Sequence, residues 1–357
     1  MADSQKCDAM LVIGYGTRPE WLKLKPIVDQ LCNRNIEHTV LFTGQHKDLI
    51  PEGRKDLSIS IGRDDIDNRM DRVSFDILRA PELDVINTAN CLIVVGDTTS
   101  AFILALAAFH RRVPIAHIEA GLRTKNLDSP YPEEGYRQMI SRIATYNFCP
   151  TYGSYLNLEN DGISTHNIKQ VGNTILDLVK SYGLKPTAVP SYASIPPGYQ
   201  HEVLITLHRR ENIPYVVQWF ESFNTLANEY PKFRFCILTH PSVPKQYYGM
   251  LDKVAVESPL PHREMCNRIA KCRLIITDSG GLQEEGAFLR KRVVVCRTTT
   301  ERPEGVGDFS VMSHLPYNLP SIVSIEIEGH VQVPANKPCP YGDGTAAQQI
   351  VEPLLTH

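Results

Sequence analysis

At 357 residues the chain is too long for one ordinary core, so two domains of similar size are expected. Hydrophobic residues at 42% and charged residues at 22% describe an ordinary globular composition, and 37 basic against 40 acidic residues leave a formal charge of −3 without a basic run. Nucleic-acid and membrane-surface roles therefore lack compositional support, whereas a small anionic ligand needs only a few local cations. The first residues, MADSQKCDAM, lack the charged and apolar parts of a secretory leader, and no apolar run is long enough to cross a bilayer. Nine cysteines, scattered without a C-x-x-C pair, read as reduced core thiols, with Cys266 and Cys272 as packing. The expectation is a cytoplasmic chain with no metal site.

Short β-branched runs alternate with helical segments. Strands are predicted at 9–16, 38–44, 91–97, 114–121 and 168–174, then at 202–208, 233–239, 273–279 and 292–298. Nearly continuous apolar strands belong to parallel sheets covered by helices on both faces. TSAFILALAAFH is apolar almost all round and reads as a deeply packed helix, while VVQWFESFNTLANEY sets Trp219, Phe220, Phe223, Leu226 and Ala227 on one helical face. Residues 182–200, with four prolines and little periodicity, read as a linker. The fold class expected is α/β, two domains with a cleft between them onto which the carboxyl ends of both sheets open. Segment 306–338 shows no clear pattern.

Each strong strand ends in a polar cluster. GYGTRPEWLKLKP follows the first strand and is neither a dinucleotide fingerprint nor a P-loop. It offers Arg18 at the turn, suited to a forked grip on a diphosphate, and Lys23 one helical turn later, although a solvated basic face would carry the same residues. VVGDTTS ends a strand on Asp97, HIEAGLRT ends the next on Glu119, and SPYPEEGYR puts Glu133 and Glu134 at a helix start. Each fits a helix cap or a first-turn acid. Consecutive strands often lie side by side, however, which would bring Asp97 and Glu119 together as general acid and base.

In the second half, ITLHRREN places His208, Arg209 and Arg210 after a strand, a cluster suited to an anionic leaving group, and TTTERPEGV adds Arg302. LIITDSGGLQEEGAF runs from a strand through Ser279, Gly280 and Gly281 into a helix. Free N–H groups and the helix dipole favour an anion there, and glycine lets the backbone approach a phosphate. Glu285, one turn on, is within reach of ribose hydroxyls. A plain tight turn would account for the glycines equally well.

Taken together, GTRPEWLKLKP, GDTTSAFILALAAF, HIEAGLRT, SPYPEEGYR, VGNTILD, HRREN, TDSGGLQEEGAFL, TTTERPEGV and CPYGDGTAAQQIVEPLL closely resemble, in order and spacing, the non-hydrolysing UDP-N-acetylglucosamine 2-epimerase family. The resemblance covers essentially the whole chain. It implies two Rossmann-like domains in a glycosyltransferase-B arrangement: residues 1–182, a linker at 183–200, a UDP-binding domain at 201–340, and a terminal helix at 341–357 crossing back to the first domain. It also implies a homodimer that interconverts UDP-GlcNAc and UDP-ManNAc without cofactor or metal, by eliminating UDP to a glycal intermediate and adding it back.

By motif match, Asp97, Glu119 and Glu133 are the acid/base carboxylates, with Lys23 near the sugar and Arg18 near the phosphates. His208, with Arg209 beside it, assists the leaving diphosphate. Ser279, Gly280 and Gly281 hold phosphate, Glu285 holds ribose, Arg302 is a further ligand contact, and the loop from Leu260 to Met265 cradles uracil. Four features depart from the family pattern: Trp21 close to the expected sugar site, Gly135-Tyr136 in EEGYR, Asp48 in TGQHKDL beside the matching Gln45, and LTHPSV around His240. They leave a modified sugar, such as a 6-deoxy UDP-HexNAc, as an alternative substrate, and predict weak or absent activation by a second UDP-GlcNAc. A hydrolysing 2-epimerase, a glycosyltransferase of the same architecture and a catalytically silent UDP-sugar-binding regulator are the remaining alternatives.

Overall fold

The computed structural model describes residues 10–45, 56–62, 66–187, 195, 201–329 and 331–355. Most of the expected linker, and Asp48, lie outside the described residues. The chain divides into two compact units, Met1–Leu178 with Gly342–His357, and Val179–Tyr341.

Unit 1 is built on parallel strands β1 (Leu11–Tyr15), β2 (His38–Phe42), β3 (Leu57–Ser58), β4 (Cys91–Val95), β5 (Ile115–Ile118), β6 (Tyr146–Cys149) and β7 (Ile168–Gln170), in the order β3-β2-β1-β4-β5-β6-β7. Its helices are α1 (Arg18–Asn33), α2 (Arg69–Arg79), α3 (Thr99–His110), α4 (Glu133–Ile143) and α5 (Tyr152–Asn160), with α6 (Ile175–Ser181) at the unit boundary. Strand alternation divides the core: Leu11, Ile13 and Tyr15 face Leu24, Ile27 and Leu31 of α1, while Val12 faces Ala101, Leu104 and Ala108 of α3. The last helix, Ala346–Leu354, adds Ala347, Ile350 and Val351 to the α1 side. Helix α3 is apolar all round because the sheet lies on one side of it and α2 and α4 on the other.

Unit 2 holds β8 (His201–Thr206), β9 (Phe233–Leu238), β10 (Ala255–Glu257), β11 (Leu274–Thr277), β12 (Val293–Val295) and β13 (Ser310–Met312), all parallel, in the order β10-β9-β8-β11-β12-β13. Its helices are α7 (Val216–Glu229), α8 (His262–Lys271), α9 (Gly280–Phe288) and α10 (Leu319–Glu328). Trp219, Phe220 and Phe223 of α7 are buried against β8 and β9. The unpatterned segment 306–338 contains β13 and α10; a three-residue strand is too short to show a period.

In each sheet the strand order reverses once, between β1 and β4 and between β8 and β11. Such reversals open a crevice at the carboxyl ends of the strands, where α/β proteins bind ligands. Among the described residues no helix is long and apolar enough to cross a membrane.

Candidate active site

In unit 1, β4 and β5 are paired with Val95 opposite Ile118, so Gly96–Asp97 and Glu119 leave the sheet side by side. Glu119 is buried at a φ of +65°, a left-handed conformation that costs a side-chain-bearing residue roughly 1–2 kcal/mol. Both its oxygens are held: the Lys23 ammonium pairs with Oε2, and Asn173 Nδ2 donates to Oε1 at 3.0 Å. Gly96 takes a φ of +73°, and a side chain there would begin 3.5 Å from the same Oε2. Glycine thus keeps the approach to the carboxylate clear.

Asp97 accepts a hydrogen bond from Arg137 Nε at 2.7 Å, and Arg137 Nη1 also donates to Glu134 at 3.0 Å. Glu134 is wholly buried and takes further bonds from Thr124 N and Gln138 Nε2. The two neighbours in SPYPEEGYR therefore part company. Glu134 is consumed in fixing Arg137, while Glu133, the first residue of α4, keeps an Oε2 that is buried without a hydrogen-bond partner. A buried acceptor in that state costs about 1–3 kcal/mol, which a donating ligand would recover.

The turns beneath these acids are braced by buried polar groups. His117 Nε2 donates to the Gly96 carbonyl at 2.9 Å, and its Nδ1 meets Ser141 Oγ at 3.3 Å. Burial lowers the His117 pKa to about 4, so the ring is neutral and acts as a bracket for the Gly96–Asp97 turn. Glu20 accepts from Gly16 N at 3.0 Å and from the Thr98 hydroxyl at 2.6 Å, tying the β1 turn to the β4 turn. Burial raises its pKa, against the pull of those hydrogen bonds. Arg18 stands exposed on the first turn of α1.

Trp21, the first departure, lies near the start of α1. Two residues from Lys23, it points about 200° away around the helix, and its ring lies 5.1 Å from Tyr15 at the edge of the core. It belongs to the packing between α1 and the sheet. Tyr136, the second departure, stacks on Phe102 of α3 at 4.8 Å. Gln45 accepts from Ser100 N and its hydroxyl at 3.2 and 2.6 Å, at the start of α3.

In unit 2, β8 and β11 run in register, Thr206 opposite Thr277, which sets His208 beside Asp278 and Ser279. Asp278 is fully buried and accepts from His208 N at 2.9 Å, Arg209 N at 2.8 Å and Asn212 Nδ2 at 3.0 Å, so it shapes the whole HRREN turn. The His208 ring lies 4.8 Å from that of His240. Burial lowers the His208 pKa below its ordinary value, with Asp278 opposing. Arg209 Nε is buried and unpartnered.

The glycine turn is occupied differently from the expectation that its glycines only make room for phosphate. A side chain at Gly280 would lie 2.3 Å from Arg302 Nη1, so Gly280 admits the arginine; Gly281 stays open, its nearest neighbours 3.9 Å away. A guanidinium beside a helix N-terminus opposes the dipole, and it is kept there by Glu284 (2.6 Å) and Glu301 (3.6 Å). Ser279 precedes α9 at the N-cap position without a side-chain cap bond. Glu285 is buried, with Oε1 on His262 Nε2 at 3.1 Å and Oε2 without a partner.

The segment expected as a loop from Leu260 to Met265 is helical in its second part. The loop ends at Pro261; His262 to Met265 form the first turn of α8, and Met265 is buried in the core with Cys266 and Ile269, leaving Leu260 packed at its margin. Apolar spacing at 265, 266, 269 and 270 carried the helix signal. Asn173, Arg137, Asp278 and Glu284 are residues that sequence reasoning left without a role. All four serve as partners to a motif residue, and all four lie inside motifs already singled out.

Among the described residues, one group has metal-ligand chemistry: His262, Cys266 and Glu285, whose ligand atoms lie within 4.8 Å of one another. Tyr182 hydroxyl at 2.9 Å and Glu285 occupy both His262 nitrogens, and burial raises the Cys266 thiol pKa, so both imidazole nitrogens are already engaged in a hydrogen-bonded cluster.

Comparison with known proteins agrees with this geometry. A family model described as UDP-N-acetylglucosamine 2-epimerase matches residues 30–355. A UDP-N-acetylglucosamine 2-epimerase of Neisseria meningitidis serogroup A is 34% identical, with 96% of this chain and 98% of that protein covered. One from Campylobacter jejuni is 33% identical, with 97% of each covered. The crystal structure of the N. meningitidis UDP-GlcNAc 2-epimerase bound to UDP-GlcNAc superposes with a TM-score of 0.87 at 32% identity, covering 98% of this chain and 100% of that one. The chain, an α/β protein of two parallel sheets, belongs to the UDP-N-acetylglucosamine 2-epimerase family.

Proposed function

We propose that the chain epimerises UDP-N-acetylglucosamine at C2, reversibly giving UDP-N-acetylmannosamine. The observation that carries this reading is the Glu119 carboxylate, held between Lys23 and Asn173 in a strained turn next to Asp97. Strain and fixed partners at one carboxylate suit a proton transfer that demands position. Solved relatives from N. meningitidis and Methanocaldococcus jannaschii carry UDP-GlcNAc, which supports the substrate.

In the mechanism, a carboxylate of the Asp97, Glu119 and Glu133 set takes the C2 proton. The C2–H electrons form the C1–C2 double bond, and the C1–O bond breaks with its pair leaving on UDP. Return of a proton to the opposite face of C2 and of UDP to C1 gives the epimer. Lys23 holds Glu119 in place. Arg18, His208, Arg209, Ser279, Gly280, Gly281 and Arg302 serve the departing diphosphate, Glu285 the ribose and the Leu260 margin the base. Cationic and N–H donors there stabilise charge as it develops on the leaving group.

We further assign the protein to the cytosol as a homodimer. The eight described cysteines are free, which fits a reducing compartment, and the dimer rests on the family resemblance; sedimentation at twice the 40.1 kDa chain mass would test it. The function is tested by incubating the protein with UDP-GlcNAc and following the anomeric protons by NMR. UDP-ManNAc accumulating to an equilibrium mixture is expected. Free ManNAc with UDP would mean a hydrolysing enzyme, and an unchanged spectrum would sink the substrate assignment.

A further inference from the structure

A second charged region lies at the opposite end of the unit 2 sheet from His208 and Ser279. Arg273 immediately precedes β11, and Arg290, Lys291 and Arg292 immediately precede β12. These four cations, with Thr187 and Val333, line a cavity of about 270 Å³. Three are deeply buried: Arg273 is 3% exposed, Lys291 1% and Arg292 5%.

Their partners leave the charge largely unbalanced. Arg292 grips the Glu326 carboxylate through Nε at 2.8 Å and Nη2 at 2.5 Å. Arg273 Nη2 donates only to the Glu326 carbonyl at 2.5 Å, and its Nε is buried with no partner. Lys291 Nζ donates to the Thr187 carbonyl at 2.9 Å, and Arg290 to the carbonyls of Pro334 and Lys337. Carbonyl dipoles solvate a cation without neutralising it, and buried charge is costly unless paired. Burial pushes the Lys291 ammonium below its ordinary pKa, with Cys272 opposing and Arg273 adding to the fall.

We propose that this cavity binds a small, multiply charged oxyanion, a phosphate or diphosphate group, separately from the glycine turn of α9. Arginine forks match the oxygens of such a group, and the orphaned Arg273 Nε supplies a donor already desolvated. The cavity is below the 300–1,000 Å³ of typical small-molecule sites, so it suits an anion rather than a whole nucleotide sugar.

Titration calorimetry with inorganic pyrophosphate, with and without saturating UDP, tests this independently of the sugar chemistry. The expected result is one pyrophosphate per chain that UDP does not displace, weakened about tenfold or more in Arg273→Gln and Lys291→Met and unchanged in Arg302→Ala. Competition by glucose 1-phosphate for that site would assign it to a phosphoryl group carried on a larger molecule, and lack of competition to the free anion. Pyrophosphate binding that UDP abolishes, or that survives Arg273→Gln intact, overturns the proposal. The wild-type titration in saturating UDP decides the matter alone should either variant fail to fold.

Discussion

At the strand reversal of unit 1, cations attend acids: Lys23 lies on Glu119, and Arg137 holds Asp97 while Glu134 steadies Arg137. At the reversal of unit 2 the roles are exchanged. Asp278 organises the backbone of His208 and Arg209, and Glu284 and Glu301 hold Arg302 beside the start of α9. Both crevices come from the same topology, yet one presents fixed carboxylates and the other fixed cations and N–H groups. The fold supplies the place, and the sign of the buried partner decides what the place can do.

The sharpest way to break this contrast is to remove a unit 1 acid. Asp97→Asn and Glu119→Gln should each lower turnover about 10²–10⁴-fold, the usual range for a general acid or base, with UDP affinity by calorimetry unchanged. Loss of UDP binding in either variant would erase the division of labour. In unit 2 the reverse is expected. Gly280→Ala puts a methyl where the Arg302 guanidinium now lies, and Glu284 and Glu301 leave that arginine little freedom to move aside. UDP affinity should fall by about one to two powers of ten, the value of a hydrogen bond to a charged group.

A smaller effect concerns the bracket under Asp97. Because the folded His117 pKa is depressed to about 4, its stabilising contribution is complete above the unfolded value and is lost as pH falls from about 6.5 toward 4. Unfolding measured in urea at pH 6.5 and pH 5 should differ by about 1.5 kcal/mol from this group, and His117→Gln should flatten the difference. The smallest change expected is Tyr136→Leu, which gives up the stack on Phe102 for about 0.5–1.5 kcal/mol of stability. Turnover should survive it, and a large loss would move Tyr136 from packing into the site.

Much of this was legible in the sequence because buried parallel strands are written as apolar runs and their carboxyl ends as abrupt polar clusters. Asp97, Glu119, His208 and Ser279 could be found that way. The edge strands β3, β10 and β13 could not, being two or three residues long and partly polar. Partnership was also hidden: EEGYR does not reveal that Glu134 is committed to Arg137, nor SGG that Gly280 faces an arginine 22 residues away in the chain. The second pairing is tertiary, and the first is one of several contacts that i,i+3 spacing on a helix allows.

The most direct test of the account is turnover of UDP-GlcNAc in heavy water, read by proton NMR at C2 for the wild-type protein and for Glu119→Gln. The account predicts UDP-ManNAc carrying deuterium at C2 from the wild type and no deuterium incorporation from the variant. Epimer formed with its original C2 proton, or deuterium exchange persisting at full rate in Glu119→Gln, would contradict it.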